Sequence, residues 1–300
     1  METIVIALGG NALLQRGEVL SAENQYQAIA SIAGTLGQLA QKYRVVIVHG
    51  NGPQVGLLAL QNLAYPDVPA YPLDILVAES QGMIGYMLMQ ELGRKHPKQP
   101  VTTLLTRVEV DGNDPAYQNP TKYIGPVYDE QQKESLEAKL GWTIKADGKY
   151  YRRVVPSPQP KAILEINAIK CLLDQQHIVI CNGGGGVPVI QQDNGFCGSE
   201  AVIDKDLSSA LLAEVLESDH LIILTDADAV YRNWGTPEKS VIRCATVAEV
   251  APMAIDDGSM GPKLMAVSRF VQRSGKPAYI GALKQIDAIL KGEAGTKIIP

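Results

Sequence analysis

Three lysines sit where loops give way to regular structure, and each has the surroundings of an anion site. Lys122 lies in Asn119-Pro120-Thr121-Lys122, and Lys205 in Glu200-Ala201-Val202-Ile203-Asp204-Lys205-Asp206. Lys263 lies in the glycine-rich helix start Gly258-Ser259-Met260-Gly261-Pro262-Lys263. A lysine at such a junction can neutralise a transferring phosphoryl group, because fixed positive charge there lowers the barrier. Asp206 is expected at the N-cap of the helix that continues through Leu207-Ser208-Ser209-Ala210. A carboxylate between lysines would hold them in place and keep them protonated. Taken alone, the same residues also fit a plain capping aspartate beside a solvated lysine.

Glycine turns supply the other half of an anion site. The apolar run Ile4–Leu8 enters Gly9-Gly10-Asn11-Ala12, and Val45–Val48 enters His49-Gly50-Asn51-Gly52-Pro53. Both place side-chain-free backbone just before a helix, where N–H groups receive phosphate oxygens. Two such turns suggest two loops closing on one anion, although Gly9-Gly10 equally fits an ordinary tight turn. A third cluster, Gly183-Gly184-Gly185-Gly186, is longer than a plain turn needs. Its conformational cost points to close approach of backbone to a ligand. Leu224-Thr225-Asp226-Ala227-Asp228-Ala229-Val230-Tyr231 ends a strand in polar residues and an aromatic, a shape suited to a nucleotide shelf, to a metal or to a cap.

Common fingerprints are missing. The spacing in Gly50-Asn51-Gly52-Pro53-Gln54-Val55-Gly56 is wrong for GxGxxG, and no GxxxxGK[ST] occurs. No HExxH or Cys/His ligand spacing predicts zinc, and no GxSxG elbow is present. His49 reads as a packed or hydrogen-bonding residue rather than a base. Asp256-Asp257 reads as solvated loop. No protein-held metal site is expected.

These groups need a frame to position them. Predicted strands are Ile4–Leu8, Val45–Val48, Val101–Leu105, Ile178–Cys181, Leu221–Leu224 and Ala278–Ile280. They alternate with helical patterns near Asn24–Gln41, Gln54–Ala64, Leu73–Leu92, Ala162–Gln175, Asp206–Leu216 and Pro262–Ser274. That order predicts an α/β fold, an open three-layer αβα sandwich with a mostly parallel central sheet. Ligands bind such sheets at the carboxyl ends of the strands, where the glycine turns lie. The stretch Asp111–Pro160 breaks the alternation with Pro, Gly, Tyr and charge. It is expected to form a small projecting subdomain, with a hairpin over Ile144–Val155 turning at Asp147-Gly148.

With 300 residues, 46% hydrophobic but only 5% aromatic, the core must be built of aliphatic side chains, as parallel sheets are. A net charge of −5 argues against a nucleic-acid partner. Among four cysteines none forms a CxxC pair, and Cys171 and Cys181 read as core residues. Reduced cysteines, no cleavable basic leader and no spanning apolar run predict a soluble, cytoplasmic protein without a membrane partner.

The motifs Ala7-Leu8-Gly9-Gly10-Asn11-Ala12, His49-Gly50-Asn51-Gly52-Pro53-Gln54-Val55-Gly56 and Glu79-Ser80-Gln81-Gly82-Met83-Ile84-Gly85-Tyr86 recur in a known order. So do Asn119-Pro120-Thr121-Lys122, Arg152-Arg153-Val154-Val155-Pro156-Ser157-Pro158, the four glycines, Ala201–Asp206 and Gly258–Lys263. End to end, the chain resembles the carbamate kinases of the amino-acid-kinase superfamily.

The resemblance implies reversible phosphoryl transfer between carbamoyl phosphate and ADP, giving ATP and carbamate with Mg2+, in a homodimer. It implies a catabolic role, fed from arginine or from purine breakdown. It further implies one amino-acid-kinase-like domain over 1–300. Its N-terminal half, about 1–186, would bind carbamoyl phosphate or carbamate and carry the subdomain at about 111–160. Its C-terminal half, about 187–300, would bind ATP or ADP. By similarity, Lys122, Lys205 and Lys263 would neutralise the moving phosphoryl group and the nucleotide phosphates, with Asp206 organising them. Gly9, Gly10, Asn11, Gly50, Asn51 and Gly52 would bind the transferred group. Thr225, Asp226, Tyr231, Met260 and Lys263 would line the nucleotide site. The projecting segment would close over substrate and bring Lys122 in. Ala7 stands where many superfamily relatives carry a lysine, which carbamate kinases also lack. Tyr123, Cys197-Gly198-Ser199-Glu200 and Arg107 depart from the usual pattern. Alternatives are a kinase for another small carboxylate or carbamoyl compound, and a catalytically silent metabolite-binding regulator of the same fold.

Overall fold

A computed structural model describes all residues except 11, 12, 15, 16 and 256–259, and only the backbone of Ile255. Asn11 and the Asp256-Asp257 loop therefore lie outside the described residues. In chain order, β1 (Glu2–Leu8), α1 (Ala22–Leu39), β2 (Tyr43–His49), α2 (Gly52–Leu63), α3 (Leu73–Lys95), β3 (Val101–Thr103) and β4 (Arg107–Val110) come first. The projecting segment holds β5 (Lys122–Tyr128), α4 (Glu130–Leu140), β6 (Ile144–Asp147) and β7 (Tyr150–Val155). Then come β8 (Pro160–Ile163), α5 (Ile166–Asp174), β9 (Ile178–Ile180), β10 (Val187–Gln192), β11 (Gly195–Gly198), α6 (Lys205–Val215) and β12 (His220–Thr225). The chain ends with β13 (Val230–Arg232), β14 (Ser240–Ile242), β15 (Cys244–Thr246), α7 (Val247–Val250), α8 (Gly261–Ser274), β16 (Ala278–Ala282), α9 (Ile286–Leu290) and β17 (Thr296–Ile299).

The central sheet runs β15-β17-β16-β12-β1-β2-β9-β3. Its pairings are parallel except where β17 meets β16. Strand alternation divides the core into two layers. Val5, Ala7, Val46 and Val48 pack with Leu211, Leu212, Val267 and Phe270 from α6 and α8. Ile4, Ile6, Leu8, Val45 and Ile47 pack with Ile29, Leu36, Ile84 and Leu88 from α1 and α3. This is the expected αβα sandwich, and the six strands predicted from the sequence form its continuous run β16-β12-β1-β2-β9-β3.

The sequence does not predict the smaller sheets β11-β10-β4-β8 and β13-β14, nor β17 and the edge strand β15 that extend the central sheet beyond β16. Three or four residues give most of these strands too little pattern to read. The helix expected over Ala162–Gln175 starts only at Ile166, because Ala162 and Ile163 pair with β4. Cys171 is exposed on α5 rather than buried, while Cys181 is buried.

In the projecting segment, β5-β7-β6 forms its own antiparallel sheet. Asp147 pairs with Tyr150, so the hairpin turn is Gly148-Lys149, one residue beyond the expected pair. The segment rests on α2 through two glycines: a Cβ on Gly56 would lie 1.9 Å from the Gly125 Cα. Gly125 also has φ +72°, a left-handed value that glycine adopts without strain. Gly56→Ala should therefore push β5 off α2. We expect a loss of about 1–3 kcal/mol in urea unfolding and a fall in activity as Lys122 is displaced. Unchanged stability and activity would show that this contact does not seat the segment.

Candidate active site

Parallel pairing brings the ends of β1, β2 and β12 level, because Leu8 is in register with both His49 and Leu224. The loops continue the sheet for one more step. The Gly9 N–H donates to the Leu224 carbonyl at 2.9 Å, and the Gly50 N–H to the Leu8 carbonyl at 3.2 Å. Beyond β9, the Cys181 N–H donates to the Ile47 carbonyl at 3.0 Å. The glycine turns after β1 and β2 and the tetraglycine run after β9 thus share the carboxyl edge of one sheet.

Lys205 opens α6 against this edge, its stem beside Gly50. Its Nζ donates to Asp206 Oδ1 at 2.6 Å, and Lys263 Nζ, from the first turn of α8, donates to Asp206 Oδ2 at 2.9 Å. The Asp206 residue is 3% exposed. Burial opposes its ionisation, but Lys205 and Lys263 outweigh that and hold the carboxyl well below the usual carboxylate range. Burial pulls Lys205 below the ordinary lysine value, with Lys263 adding to the effect and Asp206 opposing it. Burial also acts downward on Lys263, yet attraction to Asp206 leaves that lysine raised, with Asp204 and Asp226 contributing.

Asp206 is not the N-cap. Asp204 caps α6 instead, its Oδ1 accepting from the Asp206 and Leu207 N–H groups at 2.8 and 3.2 Å. Two residues further on, Asp206 is freed from capping and turns to the lysines. Lys122 arrives from β5 and donates to Asp204 Oδ2 at 2.5 Å. Three lysines thus pair with two carboxylates, Asp204 and Asp206, at the carboxyl edge of the sheet. Gly52 lies close by, next to the Tyr123 carbonyl.

The tetraglycine run packs against the protein's own atoms, which is a different reason for its composition from the ligand approach expected. A Cβ on Gly183 would lie 2.4 Å from the His49 ring, and one on Gly184 2.1 Å from the Asn51 amide nitrogen. Below it lies a buried polar frame, whose pairings are between residues distant in the chain. Gln81 Nε2 donates to the Gly183 and Thr106 carbonyls at 2.9 and 3.2 Å, and its Oε1 accepts from the Thr106 N–H at 2.9 Å. Asn51 donates to Ser80 Oγ, and Asn182 donates to Ser208 Oγ on α6. The Asn51 side chain is therefore part of the frame, and its exposure is 2%.

On the other side, Thr225 Oγ1 donates to Asp226 Oδ1 at 2.9 Å. Tyr231 donates to the Asp228 carboxylate, and its ring lies beside Trp234 with Lys239 Nζ 4.1 Å away. Met260 packs beside the core just before α8. Asp226 acts on Lys263 through its charge, whereas Tyr231 is engaged within the β13-β14 hairpin. Gly10 is exposed at the mouth of its turn.

His49 Nδ1–H donates to the Gly50 carbonyl at 3.0 Å, which fixes the tautomer. Burial, together with Lys205, lowers its pKa from 6.5 to about 4 against the opposing pull of that hydrogen bond. Between those values the unfolded chain binds a proton that the folded chain refuses. Stability therefore rises with pH across this window and is lost as pH falls through it. We expect His49 to account for about 2 kcal/mol of the stability lost between pH 7 and pH 5. His49→Asn, which can still donate to Gly50, should lose correspondingly less in urea unfolding at the two pH values. An equal loss in both proteins would contradict the buried neutral imidazole.

The sequence profile of the amino acid kinase family matches residues 2–282. Carbamate kinase from Escherichia coli strain K12 is 63% identical over 298 residues, covering 99% of both chains. The carbamate kinase of Haemophilus influenzae is 53% identical over 297 residues, covering 98% of this chain and 96% of that one. The solved structure of carbamate kinase from Giardia lamblia bound to AMP-PNP superposes with a TM-score of 0.90 at 39% identity, covering 99% of this chain and 98% of the other. The chain belongs to the amino acid kinase family and, within it, to the carbamate kinases.

Proposed function

We propose that this chain transfers a phosphoryl group between carbamoyl phosphate and ADP at the carboxyl edge of its central sheet. The observation that carries this reading is the buried Asp206 carboxylate gripping Lys205 and Lys263 beside the Gly50 turn. Toward ATP, a terminal phosphate oxygen of ADP attacks the phosphorus of carbamoyl phosphate. The bond from phosphorus to the carbamoyl oxygen breaks, and carbamate leaves with that electron pair. No covalent enzyme intermediate is required. Positioning and charge neutralisation lower the barrier, because negative charge spread over the phosphoryl oxygens meets ammonium groups already in place.

In this reading Lys205 faces the transferred group, Lys263 the nucleotide phosphates and Lys122 the group from the side of the projecting segment. Asp206 organises Lys205 and Lys263. The turns containing Gly9, Gly10, Asn11, Gly50, Asn51 and Gly52 border carbamoyl phosphate or carbamate; the Gly9 and Gly50 N–H groups continue the sheet, so other N–H groups of the two turns receive its oxygens. Thr225, Asp226, Tyr231 and Met260 border the nucleotide. ATP or ADP as the nucleotide is supported by the AMP-PNP bound in the Giardia relative. The N-terminal half thus serves the small acyl phosphate and the C-terminal half the nucleotide, within one domain.

Among the described residues no three His, Cys, Asp or Glu side chains come together as a metal cage. Asp204 and Asp206 are already engaged by lysines. In this reading Mg2+ enters with the nucleotide phosphates, as part of the substrate. A homodimer belongs to the same proposal, favoured by the exposed apolar side chains of Tyr65, Val68, Tyr71, Ile75 and Tyr86. Work in the cytoplasm, in the catabolic direction toward ATP, completes it. Among the described residues, no helix is long and apolar enough to cross a membrane.

The test is ATP formation from carbamoyl phosphate, ADP and magnesium, with Lys205→Ala beside the parent protein. We expect rapid ATP formation by the parent and a drop of at least about a hundredfold in kcat for the variant, with the fold intact. Near-normal turnover by Lys205→Ala would remove that lysine from the reaction.

A further inference from the structure

We infer that Asp204 is a positioning residue for Lys122, holding that lysine in the site before any substrate arrives. The inference rests on the reading above, in which Lys122 neutralises the transferred group. The two oxygens of Asp204 divide two tasks. Oδ1 accepts from the Asp206 and Leu207 N–H groups and starts α6, while Oδ2 accepts from Lys122 Nζ. The side chains of Lys122 and Asp204 are 28% and 16% exposed, so the pair is partly shielded from water.

Geometry makes this pair a link between two bodies of structure. Lys122 is the first residue of β5, which belongs to the projecting three-stranded sheet. Asp204 belongs to the helix that carries Lys205 and Asp206. A lysine side chain free in water samples many rotamers, and fixing it opposes binding of the next charge. Asp204 meets that cost in the ligand-free protein. A phosphate oxygen entering the site then competes for an ammonium that is already aimed at it. Because the same carboxylate also caps α6, the position of Lys122 is tied to the start of the helix that presents the other catalytic lysine.

Asp204→Asn separates the two tasks. Asparagine caps helices as well as aspartate does, so Oδ1 is retained. The second oxygen becomes an amide N–H donor, which cannot accept from Lys122. Misplacing one reacting charge by about 1 Å costs on the order of a hundredfold, so we expect kcat to fall about tenfold to a hundredfold. The KM for ADP should stay within about twofold, because Lys122 is assigned to the transferred group and not to the nucleotide. In a Lys122→Ala background the same change should cost less than about twofold more, since coupled residues are not additive. Hydrogen exchange supplies a readout that needs no turnover. In the ligand-free protein, both Asp204→Asn and Lys122→Ala should speed exchange in β5 without changing it in α6.

Equal losses from Asp204→Asn in the parent and Lys122→Ala backgrounds would overturn the inference, as would unchanged kcat with unchanged β5 exchange. If Lys122→Ala alone keeps near-normal turnover, the assigned role of Lys122 falls, and the inference with it. That outcome is distinct from additive losses, which would leave Lys122 in the site and remove only its dependence on Asp204.

Discussion

One carboxylate, Asp206, is buried between two ammonium groups, and much of the rest of the structure serves that arrangement. Moving a carboxylate or an ammonium out of water costs several kcal/mol per ion after relaxation, and mutual attraction offsets this only where the geometry is good. Contacts of 2.6 and 2.9 Å to Lys205 and Lys263 meet that condition. They also fix two lysines that α6 and α8 would otherwise present as mobile surface charges. Lys122 joins through Asp204, so that three ammonium groups are held together where an anion with several oxygens can meet them. The same burial that makes the cluster expensive strengthens its field on a bound phosphoryl group.

The sheet and its glycines set where that charge sits. Parallel strands end level at Leu8, His49 and Leu224, so the turns that follow them open on the same side. Helix starts at α6 and α8 then aim Lys205 and Lys263 across that edge. The buried frame of His49, Asn51, Gln81, Thr106 and Asn182 keeps the tetraglycine run pressed against the second turn. A neutral, buried His49 fits this role better than a proton-transfer role, because its first task is to pack beneath Gly183 and donate to Gly50. The projecting sheet reaches the cluster only because Gly56 and Gly125 let two backbones touch.

Much of this was legible in the residues themselves. Apolar runs such as Ile4–Leu8 and Val45–Val48 are long and β-branched enough to mark inner strands, and the alternating helices fix the sandwich. The lysines and Asp206 stand out only together, three lysines at loop junctions with a carboxylate among them, because each alone also fits a capping aspartate or a solvated lysine. What stayed hidden depends on partners distant in sequence. Asp204 and Asp206 look alike in a linear motif, and only the helix start shows which one caps and which one faces the lysines. Gln81 lies 102 positions before Gly183, whose carbonyl it holds. Ala162 and Ile163 read as helix because nothing local reveals the strand opposite them, and Cys171 read as core because periodicity does not say which face of α5 meets solvent. The four glycines suggest a ligand in the linear sequence because the side chains that fill their missing Cβ space come from elsewhere in the fold.

The most direct test of the account is the turnover of Asp206→Asn in ATP formation from carbamoyl phosphate, followed alongside cooperative unfolding. Asn keeps the shape of the side chain but removes the charge that holds Lys205 and Lys263 against burial. Since Asp204 caps α6 independently, the account predicts a folded protein that unfolds cooperatively and has kcat lowered by at least about a hundredfold. A folded Asp206→Asn protein turning over near the parent rate would contradict the claim that this carboxylate organises the catalytic charge.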